Sequence, residues 1–258
     1  MPAILEFPIA GLPIGLLLFA ALCVFASGVI RGYTGFGFAI AAVPLLSLVM
    51  PPVDAVPLVL LLNMGAGLLQ LRKLWGLAHW SSVRWLLLGM LAGMPLGLYG
   101  LATIPADPMR FAIALAVLAA VVLIGGGFRF QVMPGRVTSV AVGALSGVLN
   151  GGAAMPGPPV ILFYLSGPTA VSVGRASLVM FFFFNAIAGA ASAAVGGLLS
   201  LHTVLVAALL MPALVLGTRL GDKRYDAAPP EAYRKVALGA LLAVALLALA
   251  RSVGGLLG

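Results

Sequence analysis

Two glycine-rich runs hold the residue types best suited to chemistry. The first is Arg31-Gly32-Tyr33-Thr34-Gly35-Phe36-Gly37-Phe38, and the second is Asn150-Gly151-Gly152-Ala153-Ala154-Met155-Pro156-Gly157-Pro158-Pro159. Glycine lets backbone turn sharply and approach a ligand closely. N–H groups freed at a helix start favour an anion. Arg31 adds a guanidinium that can grip two carboxylate or sulfonate oxygens in a planar fork, which a lysine ammonium cannot reproduce. The candidate anion ligands are Arg31, Gly32, Tyr33, Thr34 and Gly35 in the first run, and Asn150, Gly151, Gly152 and Ala153 in the second. Asn63 and Asn185, polar groups inside apolar segments, and Arg175 at a segment start complete the set. Each has a plainer alternative: surface turns for the two runs, topology charges snorkelling to head groups for Arg31 and Arg175, interhelical glue for the asparagines, and an interface belt for Tyr33.

Other chemistries find little support. Cys23 stands alone in an apolar stretch, so it forms no intrachain disulfide and no cysteine-based metal site; packing is its expected role. His79, between Trp75 and Trp80, and His202 fall at segment boundaries without metal-ligand spacing, as an interfacial belt would place them. Glu6, Asp107, Asp222, Asp226 and Glu231 fall in expected loops or termini and Asp54 at a turn, which leaves a buried proton relay hard to assemble. Neither a nucleophile–base pair nor a phosphate-binding Gly-x-x-x-x-Gly-Lys run is present, so neither an enzyme nor an ATP-driven pump is expected. No metal and no cofactor are expected.

The elements that must position these residues are membrane segments. Of 258 residues 63% are hydrophobic and only 8% charged, with a mean hydropathy of +1.21, against about 25% charged in soluble domains. Fourteen Lys and Arg outnumber six Asp and Glu, but they sit between apolar runs and read as topology signals rather than as a nucleic-acid surface. The apolar stretch Gly11–Ile30 is too long for a signal-peptide core and is expected to remain as the first helix. Breaking the chain at Pro/Gly clusters and charges gives ten pieces, about 11–30, 39–50, 55–74, 82–104 and 109–127, then 137–149, 158–166, 171–196, 202–221 and 232–250. The second, sixth and seventh are too short to span.

The two sets of five pieces repeat one another. Ser27-Gly28-Val29 recurs as Ser146-Gly147-Val148, Asn63 as Asn185, Gly97 as Gly217 and Arg110 as Arg234. The regions 1–130 and 131–258 are therefore expected to be two transmembrane repeats of one membrane domain. Alternation can place Arg72, Lys73, Arg84, Arg129, Arg136, Arg175, Arg219, Lys223, Arg224, Arg234 and Lys235 in the cytoplasm, with Arg110 and Arg251 outside and Arg31 unplaced. This requires the first two pieces of each half to return to their side of entry, and it makes the halves inverted. The fold expectation is thus an all-α polytopic membrane protein of two inverted repeats, with broken, re-entrant hairpins meeting near the bilayer midplane, a recurrent plan of secondary transporters.

The duplicated Ser-Gly-x-x-x-Gly openings (Ser27 to Gly32, Ser146 to Gly151), the glycine-rich turns followed by Pro44 and Pro159, and the helix asparagines Asn63 and Asn185 resemble the TauE/SafE family of sulfite and organosulfonate exporters over essentially the whole length. The second turn departs from the first in carrying Asn150 where Arg31 stands. The resemblance implies a multi-pass protein of the bacterial inner membrane that exports a small sulfur-containing anion, sulfite or an organosulfonate such as sulfoacetate, from the cytoplasm. The alternatives are a non-catalytic membrane subunit or a transporter of another small organic anion. The expected partners are the anion and the lipid bilayer, with no nucleic acid, and Gly/Ala-rich faces permit a homodimer.

Overall fold

The computed structural model describes residues 14–46, 48–50, 52–103, 129–153, 156–229, 231–233, 235–239 and 242. The fifth expected segment (109–127), Arg110, Arg234, Arg251 and Glu6 lie outside the described residues, as does most of the tenth segment. Among the described residues the regular structure is all α-helical. The helices are α1 (Ile14–Thr34), α2 (Phe38–Leu46), α3 (Pro52–Leu74), α4 (Trp80–Thr103), α5 (Arg136–Ala153), α6 (Gly157–Ser166), α7 (Val171–Val195) and α8 (Leu201–Asp226). Four of them, over Ile14–Thr34, Asp54–Leu74, Val171–Val195 and Leu201–Asp226, are long and apolar enough to cross a membrane. Their outer faces carry leucines such as Leu18 and Leu22, both 64% exposed, while Ser27 and Arg31 on the same helix are 0% and 1% exposed. Apolar outside and polar inside is the arrangement lipid favours.

The apolar runs predict these helices closely, but three boundaries need correction, the third being the end of α8 at Asp226 instead of near 221. The first break does not begin at Arg31. Helix α1 continues through Arg31, Gly32, Tyr33 and Thr34, and the break is only Gly35-Phe36-Gly37, with φ of 82° at Gly35 and 86° at Gly37. Positive φ is open to glycine at little steric cost. Gly35 N donates to Arg31 O at 2.7 Å, closing α1, and Ala41 N donates to Gly37 O at 3.1 Å, opening α2. The second correction concerns the sixth segment, expected to end near 149 and to be too short to span. Helix α5 instead runs 18 residues through Asn150, Gly151, Gly152 and Ala153, about 27 Å at 1.5 Å per residue and close to the thickness of the hydrocarbon core. Glycine lowers helix propensity without forbidding helix.

The chain divides into two compact units. Unit 1 comprises Met1–Lys73 and Phe182–Ala228, and unit 2 comprises Leu74–Phe181 and Pro229–Gly258. Each draws on both halves of the sequence, and the division falls within α7.

In unit 1, α1 packs along α8 through small residues. A Cβ on Gly32 would stand 2.2 Å from Thr218 O, one on Gly217 2.2 Å from Phe25 O, and one on Gly221 2.3 Å from Val29 O; at Gly28 the nearest atom, Leu214 O, is 3.0 Å away. The backbones therefore nearly touch, as small-xxx-small pairs allow. Around this seam, α1, α2, α3 and α8 bury one apolar cluster that includes Val24, Phe38, Leu46, Leu62, Leu210 and Leu214.

In unit 2, α4 and α5 form a second seam of the same kind. A Cβ on Gly89, Gly93, Gly143 or Gly147 would fall 2.1–2.2 Å from a backbone oxygen of the facing helix, namely Val140, Ala144, Leu86 and Met90 respectively. The Trp75 and Trp80 rings meet tilted by 48°, 4.2 Å between centroids, at the start of α4. The His79 backbone N–H there donates to Ser177 Oγ at 2.9 Å.

Candidate functional site

Arg31 lies in the last turn of α1 and is 1% exposed. Its Nε donates to Asn63 Oδ1 at 3.1 Å and its Nη1 donates to Gln70 Oε1 at 2.8 Å. Asn63 and Gln70 are seven residues apart on α3, two helical turns, so they share one face. A guanidinium only donates, so both amide oxygens must turn toward it. The Gln70 amide nitrogen is then committed to the other direction and donates to both Asp222 carboxylate oxygens, at 3.3 and 3.2 Å. Gln70 is itself 7% exposed and Asn63 8%.

This chain of bonds answers an electrostatic problem. A guanidinium inside a membrane segment costs about 2.5–3.5 kcal/mol even on insertion scales, and burial calls for compensation. The Asp222 carboxylate, bonded to the same Gln70 amide, contributes to it. The α1–α8 seam makes this geometry available: Gly32 adjoins Arg31, Gly221 adjoins Asp222, and the Cβ-free contact of these glycines brings the two helices together where the charges sit. Asn63 is mid-way along α3, whereas Gln70 is three residues from Lys73, which pairs with Asp226 of α8 at 3.7 Å on the surface. Polar groups therefore lead from the charged ends of α3 and α8 to the middle of α3, with Arg31 joining the two levels.

Asp222 corrects an expectation. With α8 predicted to stop near 221, it read as a loop residue, but α8 runs to Asp226 and Asp222 belongs to the buried network. Gln70 was missed altogether. A signal was present, since it is the polar residue two turns from Asn63 in an otherwise apolar run.

The other expected site residues are distributed between the units. Thr34 is buried at the end of α1, and its hydroxyl lies 2.7 Å from both Ile30 O and Phe36 O, with one proton to donate, while it accepts from Phe36 N at 3.2 Å. It closes the break with its own side chain. Tyr33 lies edge-on to Tyr225 of α8, ring centroids 6.3 Å apart. Asn185 is 7% exposed on the part of α7 in unit 1. Asn150, Gly151, Gly152 and Ala153 form the end of α5 in unit 2, where Ser146 Oγ donates to Pro156 O across the second break. Arg175, also in unit 2, is 3% exposed. Thus the structure brings Arg31 and Asn63 together and adds Gln70 and Asp222, while Asn150–Ala153 and Arg175 belong to the other unit. Among the described residues no cluster of three His, Cys, Asp or Glu could hold a metal ion.

No curated protein and no solved structure matches the chain. The family model described as Sulfite exporter TauE/SafE matches residues 20–248, nearly the whole chain, and that family is one of membrane transporters of sulfur anions such as sulfite rather than of enzymes. Apolar membrane-length helices, a charge sequestered inside one of them and a match over nearly the whole chain agree: the chain belongs to the TauE/SafE family.

Proposed function

We propose that this chain is a multi-pass secondary carrier of the bacterial inner membrane that exports a small sulfur oxyanion, sulfite or an organosulfonate such as sulfoacetate, and that Arg31 is its principal anion ligand. The observation that carries the reading is the buried Arg31 guanidinium with two neutral amide oxygens on it, Asn63 Oδ1 at 3.1 Å and Gln70 Oε1 at 2.8 Å. Amide oxygens are weaker acceptors for a guanidinium than charged oxygens. They hold the side chain in position, and an arriving sulfite or sulfonate displaces them with two oxygens of its own. Asp222 tugs on the same network through Gln70, so the site is never an uncompensated cation, and its pull favours release. Inside-negative potential drives an anion outward by about 2.3 kcal/mol per charge per 100 mV, without ATP.

The element order supports an inverted duplication. Helices α1 to α4 have 21, 9, 23 and 24 residues, and α5 to α8 have 18, 10, 25 and 26. Among the described helices, α1 of the first half pairs with α8 of the second, and α5 of the second with α4 of the first. Helices α2 and α6, about 14–15 Å long, reach only half-way through a hydrocarbon core of about 30 Å, so each hairpin ends one helix within the membrane.

Purified chain in liposomes tests the assignment. Arg31→Ala is expected to lower sulfite efflux about 100-fold or more, since two charge-assisted bonds of about 1.5–3 kcal/mol each are lost. Arg31→Lys should lower it about tenfold, because a point charge cannot bridge two oxygens. Near-normal efflux by folded Arg31→Ala protein would reduce Arg31 to a structural charge.

A further inference from the structure

Unit 2 holds a cavity of about 410 Å³. Arg129, Arg175 and Lys235 face it with one carboxylate, Glu231, so the lining carries two more positive than negative charges. Arg175 is 3% exposed and Tyr233 also 3%, whereas Arg129, Lys235 and Glu231 are exposed at the mouth. The site is thus a buried guanidinium at the back of a basic entrance. Its walls are fixed by specific contacts. Phe130 N donates to Ser166 O at 2.7 Å, which anchors the segment bearing Arg129 to the end of α6. Ala232 N and Tyr233 N donate to Pro229 O at 3.0 and 3.4 Å, opening the helical turn that carries Glu231 and leads to Lys235. The start of α7, at Val171 and Gly174, forms a further wall, where a long helix presents its positive end.

A second observation points to a ligand. Thr169 lines the same cavity, and its Oγ1 is buried without a hydrogen-bond partner. A buried hydroxyl without a partner costs about 1–3 kcal/mol, and an acceptor in the cavity would relieve it. Cations of fixed position, a hydroxyl donor and a helix N-terminus together describe a receptor for an oxyanion.

We propose that this cavity binds a sulfur or phosphorus oxyanion at the basic end of unit 2, as a site separate from Arg31 and independent of the Arg31 assignment. The ligand is a group of tetrahedral or pyramidal oxygens, free as a dissolved anion or carried as the phosphate of an anionic lipid head group. Basic pockets among membrane helices take either.

Full-length protein with Cys23→Ala and Val171→Cys, in phosphatidylcholine nanodiscs, supplies the probe: the rate at which N-ethylmaleimide modifies the new thiol. Sulfate is expected to slow modification at least about threefold, and Arg129→Gln with Lys235→Gln, two exposed sites that should not disturb folding, is expected to weaken that protection about tenfold. Such a result assigns a dissolved oxyanion. If sulfate has no effect but phosphatidylglycerol slows modification, stays bound in native mass spectrometry and is lost from the same double variant, the occupant is a lipid phosphate. Modification indifferent to both, or slowed equally in the double variant, overturns the proposal. Arg31→Ala in the same background should keep the protection, so failure of the Arg31 assignment and failure of this site remain distinguishable.

Discussion

The α1–α8 seam of unit 1 and the α4–α5 seam of unit 2 share a backbone solution and differ in what decorates it. Both set two glycines four residues apart on one helix against two on another, Gly28 and Gly32 with Gly217 and Gly221, and Gly89 and Gly93 with Gly143 and Gly147. In lipid no hydrophobic force drives helices together, so close backbone contact must supply van der Waals attraction instead. The residues beside the glycines then diverge. In unit 1 Arg31 follows Ile30 and precedes Gly32, and Asp222 follows Gly221; in unit 2 Met94 follows Gly93 and Val148 follows Gly147. Unit 2 has the small-residue seam as a scaffold alone, while unit 1 carries a buried guanidinium and its counter-charge on it. The same frame serves both, and the polar chemistry decorates one of them.

The largest test of this comparison is steric. Gly32→Ile and Gly93→Ile both put a branched side chain where even a Cβ would stand 2.2 or 2.1 Å from a carbonyl oxygen. Each seam must open, and loss of folded protein in detergent is expected, read by size-exclusion chromatography. Gly28→Ala sharpens the point. Its Cβ would lie 3.0 Å from Leu214 O and needs only a small shift, so it should cost no more than about 1–2 kcal/mol while Gly147→Ala, at 2.1 Å from Met90 O, costs clearly more. Equal thermal stability of the two variants would mean that the seams are not held by backbone contact.

The polar decoration gives the next effect. Gln70→Leu removes the link between Arg31 and Asp222 and leaves buried donors and acceptors unmet, for an expected loss of about 2–3 kcal/mol and about tenfold in anion efflux. At the offset that relates Asn63 to Asn185, the counterpart of Gln70 is Ser192, which is exposed and donates to Ala188 O of its own helix at 2.9 Å. Ser192→Ala should therefore fall within about 0.5 kcal/mol of the parent. Asp222→Asn adds a sign: without the competing carboxylate the anion should bind Arg31 more tightly, lowering KM and slowing turnover. A raised KM would show that Asp222 assists binding instead of opposing it.

What the sequence made legible follows the same division. Apolar runs bounded by Pro, Gly and charge located every described helix, because membrane-length apolar segments have few alternatives in lipid. The glycine runs were legible as special but not as to why. Gly32, Gly151 and Gly152 read as turn residues, yet they are helical, and for Gly32 the reason is Thr218 O, which lies far away in sequence. Asp222 was hidden by the Lys223-Arg224 cluster beside it, which reads as a loop although α8 carries it out to Asp226. Arg31 and Asn63 stood out as polar groups in apolar segments. Their meeting, and the place of Gln70 between Arg31 and Asp222, depends on which face of α3 turns toward α1, and one sequence does not specify that.

The smallest expected effect separates the two repeated serines. Ser27 and Ser146 begin the same Ser-Gly-Val and both are fully buried. Ser27 Oγ donates to Cys23 O at 2.7 Å, four residues back on its own helix, a carbonyl that the helix already uses. Its removal leaves no group unsatisfied, and Ser27→Ala should change stability by no more than about 0.5 kcal/mol. Ser146 Oγ instead donates across the break to Pro156 O, ahead of α6. Pro158 and Pro159 provide no N–H groups to return to that region, so among the described residues the serine is a donor that ties the second hairpin. Ser146→Ala should cost about 1–2 kcal/mol, with the loss concentrated at the hairpin and read as faster hydrogen exchange in α6 than in α4. In the first hairpin the corresponding tie is Thr34, which receives Phe36 N, so Thr34→Val should reproduce in unit 1 what Ser146→Ala does in unit 2. If Ser27→Ala proves as damaging as Ser146→Ala, the two hairpins are closed in the same way and the difference between the units narrows to Arg31 and its network.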